Sequence, residues 1–226
     1  TYFIGIVLFL FIKYIPIVKE DIHVGSLFSR LKGGFQYLRS HPSIFAFGTL
    51  SYMLFAFTLV QVHVLLPSYV ERFMNQSANI YASAEVYYSL GAIFSGILVY
   101  RLLNKYSEYL SIVLLMFIVS IAFIGMSFSN NIVLFFTANL ILGITNAGVR
   151  ILRTTYLFSN VPNNLIGRAG SVFSSINVII RMILILIFSM PFFLIEDNIR
   201  WGYFVGALLV LITLLLLLYY YKQEGD

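Results

Sequence analysis

The sequence predicts an all-α fold, a polytopic transmembrane helical bundle with two inverted three-helix repeats. Hydrophobic residues make up 60% of the 226 residues, charged residues make up 10%, and the mean hydropathy is +0.93. This composition is typical of a membrane protein. Apolar segments recur along the chain, with lengths near the ~20 residues that a helix needs to cross a bilayer. The lengths of the connectors between them also repeat.

The apolar segments form one partial span and six full spans. Each should be helical, because lipid cannot satisfy exposed backbone polar groups. The chain begins at Thr1 inside the partial span, so we expect a fragment of a longer protein. We divide it into a truncated helix at 1–18, a loop at 19–42, a six-helix bundle at 43–221 and a tail at 222–226. The full spans are predicted at Ser43–Val70, Ala84–Leu103, Tyr109–Phe128, Ile132–Tyr156, Gly170–Ile195 and Trp201–Tyr221.

The loop at 19–42 has apolar residues at helical spacing, with basic residues among them. These residues are Phe28, Leu31, Phe35 and Leu38, with Arg30, Lys32 and Arg39. One interpretation is a basic amphipathic helix on the anionic cytoplasmic leaflet. The other is a solvated linker whose apolar residues contact the bundle.

The basic residues between the spans indicate the orientation in the membrane. Only Arg72 and Arg200 fall on one side, and the positive-inside rule makes the other side cytoplasmic. The net charge of +5 is thereby explained without a nucleic-acid partner. We expect a multi-pass protein of the cell membrane with a cytoplasmic C-terminus. The residues assigned to the cytoplasmic side are Lys19, Arg30, Lys32, Arg39, Arg101, Lys105, Arg153, Arg168 and Lys222.

The connector lengths predict the repeat. The block from Ser43 has a connector of roughly ten residues and then one of about five, and the block from Ile132 repeats that order. The two blocks start on opposite sides, so the repeat is inverted. Inverted three-helix repeats occur in transporter halves, with substrate at the repeat interface.

Three motifs carry a resemblance to a known family: FSRLKGGFQYLRSHP before a span, GILVYRLLNKYS after the next, and VPNNLIGRAGSV further along. With them the chain resembles the C-terminal half of a major facilitator superfamily transporter, in the branch of macrolide-efflux and siderophore exporters. Tyr100 departs from the pattern, standing where an acidic residue is usual.

The resemblance implies that the partial span is helix six and that the full spans are helices seven to twelve. It also implies that a missing N-terminal half completes the transporter. The first two helices of each repeat would line the central path, and the third would face lipid. The motifs supply the gating-loop candidates Gly96, Arg101, Lys105, Gly167 and Arg168.

Arg181 is the most informative single residue. It lies near the middle of the apolar run Ser171 to Ile195, roughly 15 Å from either end by helical rise. A charge at that depth faces the bundle interior or a wet cavity. Asn177 shares its helical face, so we predict a polar path along this helix.

A second polar stripe consists of Asn139, Gly143, Asn146 and Arg150, which recur at intervals of four, three and four. Such a stripe either lines a cavity or joins helices. Gln61 is a further candidate for the substrate path. We expect Glu85 to lie about 15 Å or more from Arg181 along the membrane normal. The arginine side chains have three possible partners: a carboxylate of the missing half, an anionic group of a small-molecule substrate, or backbone carbonyls and amides.

Weaker candidates for a proton site are His63 and Glu85. Packing of the histidine and snorkelling of the glutamate to the interface are the alternatives. We expect no metal site, cofactor or catalytic residue, since the chain has three histidines, no cysteine and no hydrolase motif. The predicted function is a secondary active exporter, with a non-transporting scaffold or sensor as the alternative.

Overall fold

The computed structural model describes Phe11, residues 27–103 and residues 105–224, and the regular elements within these ranges are helical. Six helices are long and apolar enough to cross a membrane. The predicted truncated helix at 1–18 lies outside the described residues, apart from Phe11. The helices are α1 (Leu27–Ser40), α2 (Pro42–Phe73), α3 (Ala78–Leu103), α4 (Glu108–Phe128), α5 (Ile132–Asn160), α6 (Asn163–Phe188), the single turn α7 (Pro191–Leu194) and α8 (Ile199–Glu224).

Two spans begin earlier than the apolar segments indicate. α3 begins at Ala78 and not at Ala84, and α6 begins at Asn163 and not at Gly170. The polar residues at these ends continue the helix beyond the apolar segment. α6 also ends at Phe188, because Pro191 cannot donate to the preceding turn. α8 runs to Glu224, so residues 222–224 of the predicted tail are helical.

The bundle has two layers. One is a row in the order α3, α5, α2, α6, and the other is the pair α4 and α8. α5 contacts α3 and α4, while α2 contacts α6 and α8. Exchanging the block α2, α3, α4 with the block α5, α6, α8 leaves this pattern of contacts unchanged. The predicted inverted three-helix repeat is therefore confirmed, with α2 and α5 as its equivalent first helices.

Glycines let α3 and α5 approach closely. A Cβ at Gly143 would overlap the carbonyl oxygen of Tyr88, and a Cβ at Gly91 would overlap that of Leu140. Small residues at such contacts are typical of helix pairs in membranes, where close van der Waals packing drives association. The two helices are thus held in one register by backbone-to-backbone contact.

α2 contains two π-helical turns, Gln61–Leu65 and Tyr69–Phe73, on either side of Pro67. Proline removes a backbone donor, and π turns absorb the change in hydrogen-bond register. The end of α2 is nevertheless fixed, since the Tyr69 hydroxyl donates to the carbonyl oxygens of Met126 at 2.7 Å and Ser129 at 3.0 Å.

α1 packs on the bundle near the first turns of α6. A Cβ at Gly34 would lie 2.6 Å from the Arg168 carbonyl oxygen. Leu38 is fully buried, whereas Phe35 is 48% exposed. The segment is therefore a helix that contacts the bundle through part of its apolar face. We refer to this end of the bundle as the α1 end.

Candidate substrate-binding cavity

A cavity of about 280 Å³ lies where α2, α3 and α5 converge. It includes the first helices of both repeats. Asn146, one of its lining residues, is the central residue of α5. The cavity therefore reaches the middle of the bundle. Its lining residues are Phe55, Thr58, Leu59, Val62, Leu66, Glu85, Tyr88, Ser89, Asn139 and Asn146.

Two amides of α5 line this cavity, and each donates one hydrogen bond within the protein. Asn146 Nδ2 donates to the Tyr88 hydroxyl at 2.7 Å, and Asn139 Nδ2 donates to the Phe135 carbonyl oxygen at 2.9 Å. The Asn146 Oδ1 atom is buried and accepts no hydrogen bond from the described residues. A buried acceptor without a partner costs free energy, so a ligand donor at this position would be stabilised.

Glu85 is an exposed residue of the cavity lining. The Tyr81 hydroxyl donates to its Oε1 atom at 2.8 Å, which leaves Oε2 for another partner. On the α2 side, the Thr58 hydroxyl donates to the Leu54 carbonyl oxygen at 2.8 Å, so its hydrogen is also engaged.

The predicted stripe on α5 divides between two roles. Asn139 and Asn146 line the cavity, and Gly143 packs against α3. Arg150 is exposed, and it does not line this cavity. The two interpretations of the stripe, cavity lining and helix association, therefore apply to different residues of one face.

Arg181 is partly buried on α6, and it forms no ion pair or hydrogen bond with a residue in the described ranges. It lies seven residues before Phe188, and Glu85 lies seven residues after Ala78. By helical rise each is about 10 Å from its helix end on the side opposite α1. Helix ends extend beyond the apolar segments, so the expected central position of Arg181 in the membrane and its separation from Glu85 along the membrane normal stay predictions. The two residues are on the outer helices of the row, α6 and α3.

Arg153 was predicted only as one of the cations on the cytoplasmic side, and its place in the bundle was not foreseen. Arg153 is only 4% exposed. Its guanidinium lies 3.5 Å from the centre of the Tyr52 ring, and its Nη1 atom donates to the Ser51 carbonyl oxygen at 3.2 Å. The signal was present, because Arg153 follows Asn146 by seven residues, as Asn146 follows Asn139. Spacing of seven keeps residues on one helical face.

Asn177 and Gln61 are buried outside the cavity lining. Asn177 Nδ2 donates to the Tyr52 carbonyl oxygen at 3.4 Å, joining α6 to α2. Gln61 Nε2 donates to the Tyr203 hydroxyl of α8 at 3.3 Å. Both amides thus connect helices within the bundle. His63, by contrast, is exposed.

Most of the predicted gating-loop residues are helical. Gly96 and Arg101 lie in α3, and Gly167 and Arg168 lie in α6. α6 begins at Asn163, directly after its N-cap residue Pro162, so the helix includes the two residues of this group that were predicted to lie in a loop. Lys105 lies in the connector after α3, with its Nζ atom 5.2 Å from the Tyr106 ring centre.

Inverted three-helix repeats recur in membrane transporters, where the substrate site lies at the repeat interface. A family model described as Major Facilitator Superfamily matches residues 1–185, and the chain belongs to that superfamily. The members of this family are transporters and not enzymes. A comparison with curated proteins finds no match.

Proposed function

We propose that the chain is the C-terminal half of a secondary active exporter, which moves a drug-like or siderophore-like small molecule by alternating access with proton coupling. The observation that carries the proposal is the polar cavity between α2, α3 and α5. Transporters built from inverted repeats bind substrate at the repeat interface near the membrane midplane. Asn146, at the centre of α5, occupies that position.

Charge distribution supports an orientation with the α1 end in the cytoplasm. Arg101, Lys105 and Arg168 lie at that end, and Arg72 and Arg200 lie at the other. The positive-inside rule then predicts a cytoplasmic C-terminus, and we propose the plasma membrane as the location. The inner leaflet would attract the exposed Arg39 of α1.

α2 supplies a means of movement beside the cavity. Its π-helical turns and Pro67 follow directly after the lining residues Thr58 and Leu59. Segments with weakened helical hydrogen bonding absorb hinge motion, and π turns often lie at functional sites. Bending there would open or close the cavity toward one side of the membrane.

Three residues have proposed roles that extend beyond this chain. Arg181 has no counter-charge among the described residues, so we propose that a carboxylate of the N-terminal half or an anionic substrate group neutralises it. Arg150, which is exposed, would face the same path. Glu85 would be the proton site of this half, since it combines a carboxylate with a cavity.

Flux measurements with the natural full-length protein in proteoliposomes test the proposal. We expect substrate-dependent flux that follows an imposed pH gradient, with Arg181→Ala inactive and Arg181→Lys partly active. Unchanged flux in both variants would remove Arg181 from the mechanism. If a broad panel of compounds gave no flux and a stable protein partner co-purified, the scaffold or sensor alternative would replace transport.

A further inference from the structure

We infer that the cavity between α2, α3 and α5 selects a small aromatic or apolar ligand that carries a protonated amine. This inference names the substrate class and rests on the proposed function of the same cavity. It differs from the expectation of an anionic substrate, which depended on the arginines. Neither Arg150, Arg153 nor Arg181 lines this cavity.

The hydrogen-bonding groups of the lining favour a donor-rich ligand. One amide hydrogen of Asn139, one of Asn146 and the hydroxyl hydrogen of Thr58 are engaged within the protein. The Asn146 Oδ1 atom remains as a buried acceptor without a partner in the described ranges. An ammonium group has three donors and no acceptor, and so can donate to the carboxylate and amide oxygens of the lining.

Charge favours the same ligand. Among the described residues that line the cavity, only Glu85 is charged. Tyr81 occupies its Oε1 atom, and Oε2 is left for a ligand. A carboxylate ligand would meet the like charge of Glu85, which opposes binding.

The remaining lining provides the apolar part of the site. Phe55 and Tyr88 carry aromatic rings, whose faces attract cations, and Leu59, Val62 and Leu66 are aliphatic. A volume of about 280 Å³ is slightly below the usual range of ligand pockets, about 300 to 1,000 Å³. One ring with a short amine arm is therefore the expected size of ligand.

Three probes of one shape test the inference: phenethylammonium, phenylacetate and 2-phenylethanol. Each is added to the purified natural full-length protein, and the thermal unfolding midpoint is followed as a function of probe concentration. We expect phenethylammonium to raise the midpoint more than the neutral alcohol does, and phenylacetate to have the smallest effect. Glu85→Gln should weaken the apparent affinity for the ammonium probe roughly tenfold, because a hydrogen bond to a charged group is lost.

Glu108→Gln is the matched control, since Glu108 lies in the first turn of α4 and does not line the cavity. It should leave the affinity for phenethylammonium unchanged. Equal or greater stabilisation by phenylacetate, no stabilisation by phenethylammonium, or a Glu85→Gln variant of undiminished affinity would each overturn the inference. Glu85-dependent stabilisation without flux of any compound would retain the cation site and overturn only the transport proposal. Flux of other compounds, without preferential stabilisation by phenethylammonium, would retain the transport proposal and overturn the cation site.

Discussion

At the scale of single residues, Arg153 and Arg150 differ sharply despite lying three positions apart. Arg153 is buried between α5 and α2 and contacts the Tyr52 ring and the Ser51 carbonyl oxygen. Arg150 is exposed on the same helix. Substituting the two residues one at a time therefore distinguishes the stability contribution of a buried cation from that of a surface cation.

Arg153→Ala should destabilise the protein by about 2 to 4 kcal/mol, because it removes a cation–π contact, a hydrogen bond and buried packing volume. Arg150→Ala should change the stability by no more than about 0.5 kcal/mol. Thermal unfolding in one detergent gives both values. Equal stability losses in the two variants would contradict the assigned packing of Arg153.

Periodicity alone predicted the amides Asn139 and Asn146, because a seven-residue interval on a helix fixes a common face. The burial of Arg153 was not predictable in that way. It depends on Tyr52, which lies about a hundred residues earlier in the chain and approaches only in the folded bundle. A cation near a helix end is also usually interpreted as snorkelling to the interface.

At the scale of helices, two glycines of the α3–α5 pair differ in how closely their backbones approach the rest of the protein. Gly143 meets the backbone of Tyr88, whereas a Cβ at Gly96 would meet no atom within 4 Å. The two glycines thus provide a matched pair within one helix–helix unit.

Gly143→Ala should destabilise the protein by about 1 to 3 kcal/mol, since the added methyl group overlaps a backbone oxygen that cannot rotate away. Gly96→Ala should instead stabilise it by up to about 1 kcal/mol, because alanine favours a helix over glycine. The thermal unfolding midpoints of the two variants test both expectations. A stabilised Gly143→Ala variant would show that the helices are not in close contact.

α1 offers a second matched pair. A Cβ at Gly34 would approach the Arg168 backbone, but one at Gly33 would approach only the end of the Arg168 side chain, at 3.6 Å. Gly34→Val should therefore displace α1 from α6 and increase hydrogen–deuterium exchange in residues 27–40. Gly33→Val should leave the exchange close to that of the unchanged protein. The same exchange in both variants would contradict the docking of α1.

The spans were predictable from hydropathy because lipid imposes a minimum apolar length, but their ends were not. α6 extends to Asn163 through polar residues that hydropathy assigns to a loop, and it stops before Pro191. Arg181 is therefore nearer to the C-terminal end of α6 than to its N-terminal end.

At the scale of the whole molecule, the inverted repeat determines where a cavity can form. α2 and α5 are equivalent first helices in the middle of the row, and α3 and α6 flank them. Connector lengths predicted this symmetry. They could not predict that the cavity lies on the α3 side, because that depends on how Tyr88, Asn146 and Thr58 pack in three dimensions.

The central claim is that this cavity binds the transported molecule, and substrate flux in the Asn146→Leu variant tests it most directly. Leucine has the same branched shape as asparagine, and it removes both the buried acceptor that has no partner in the described part of the chain and the hydrogen bond to Tyr88. The natural full-length protein carrying this change would be compared in proteoliposomes with the Glu108→Gln control, since Glu108 does not line the cavity. The account predicts at least a roughly tenfold loss of flux with an unfolding midpoint close to that of the control. Flux equal to that of the control in a folded Asn146→Leu variant would contradict it.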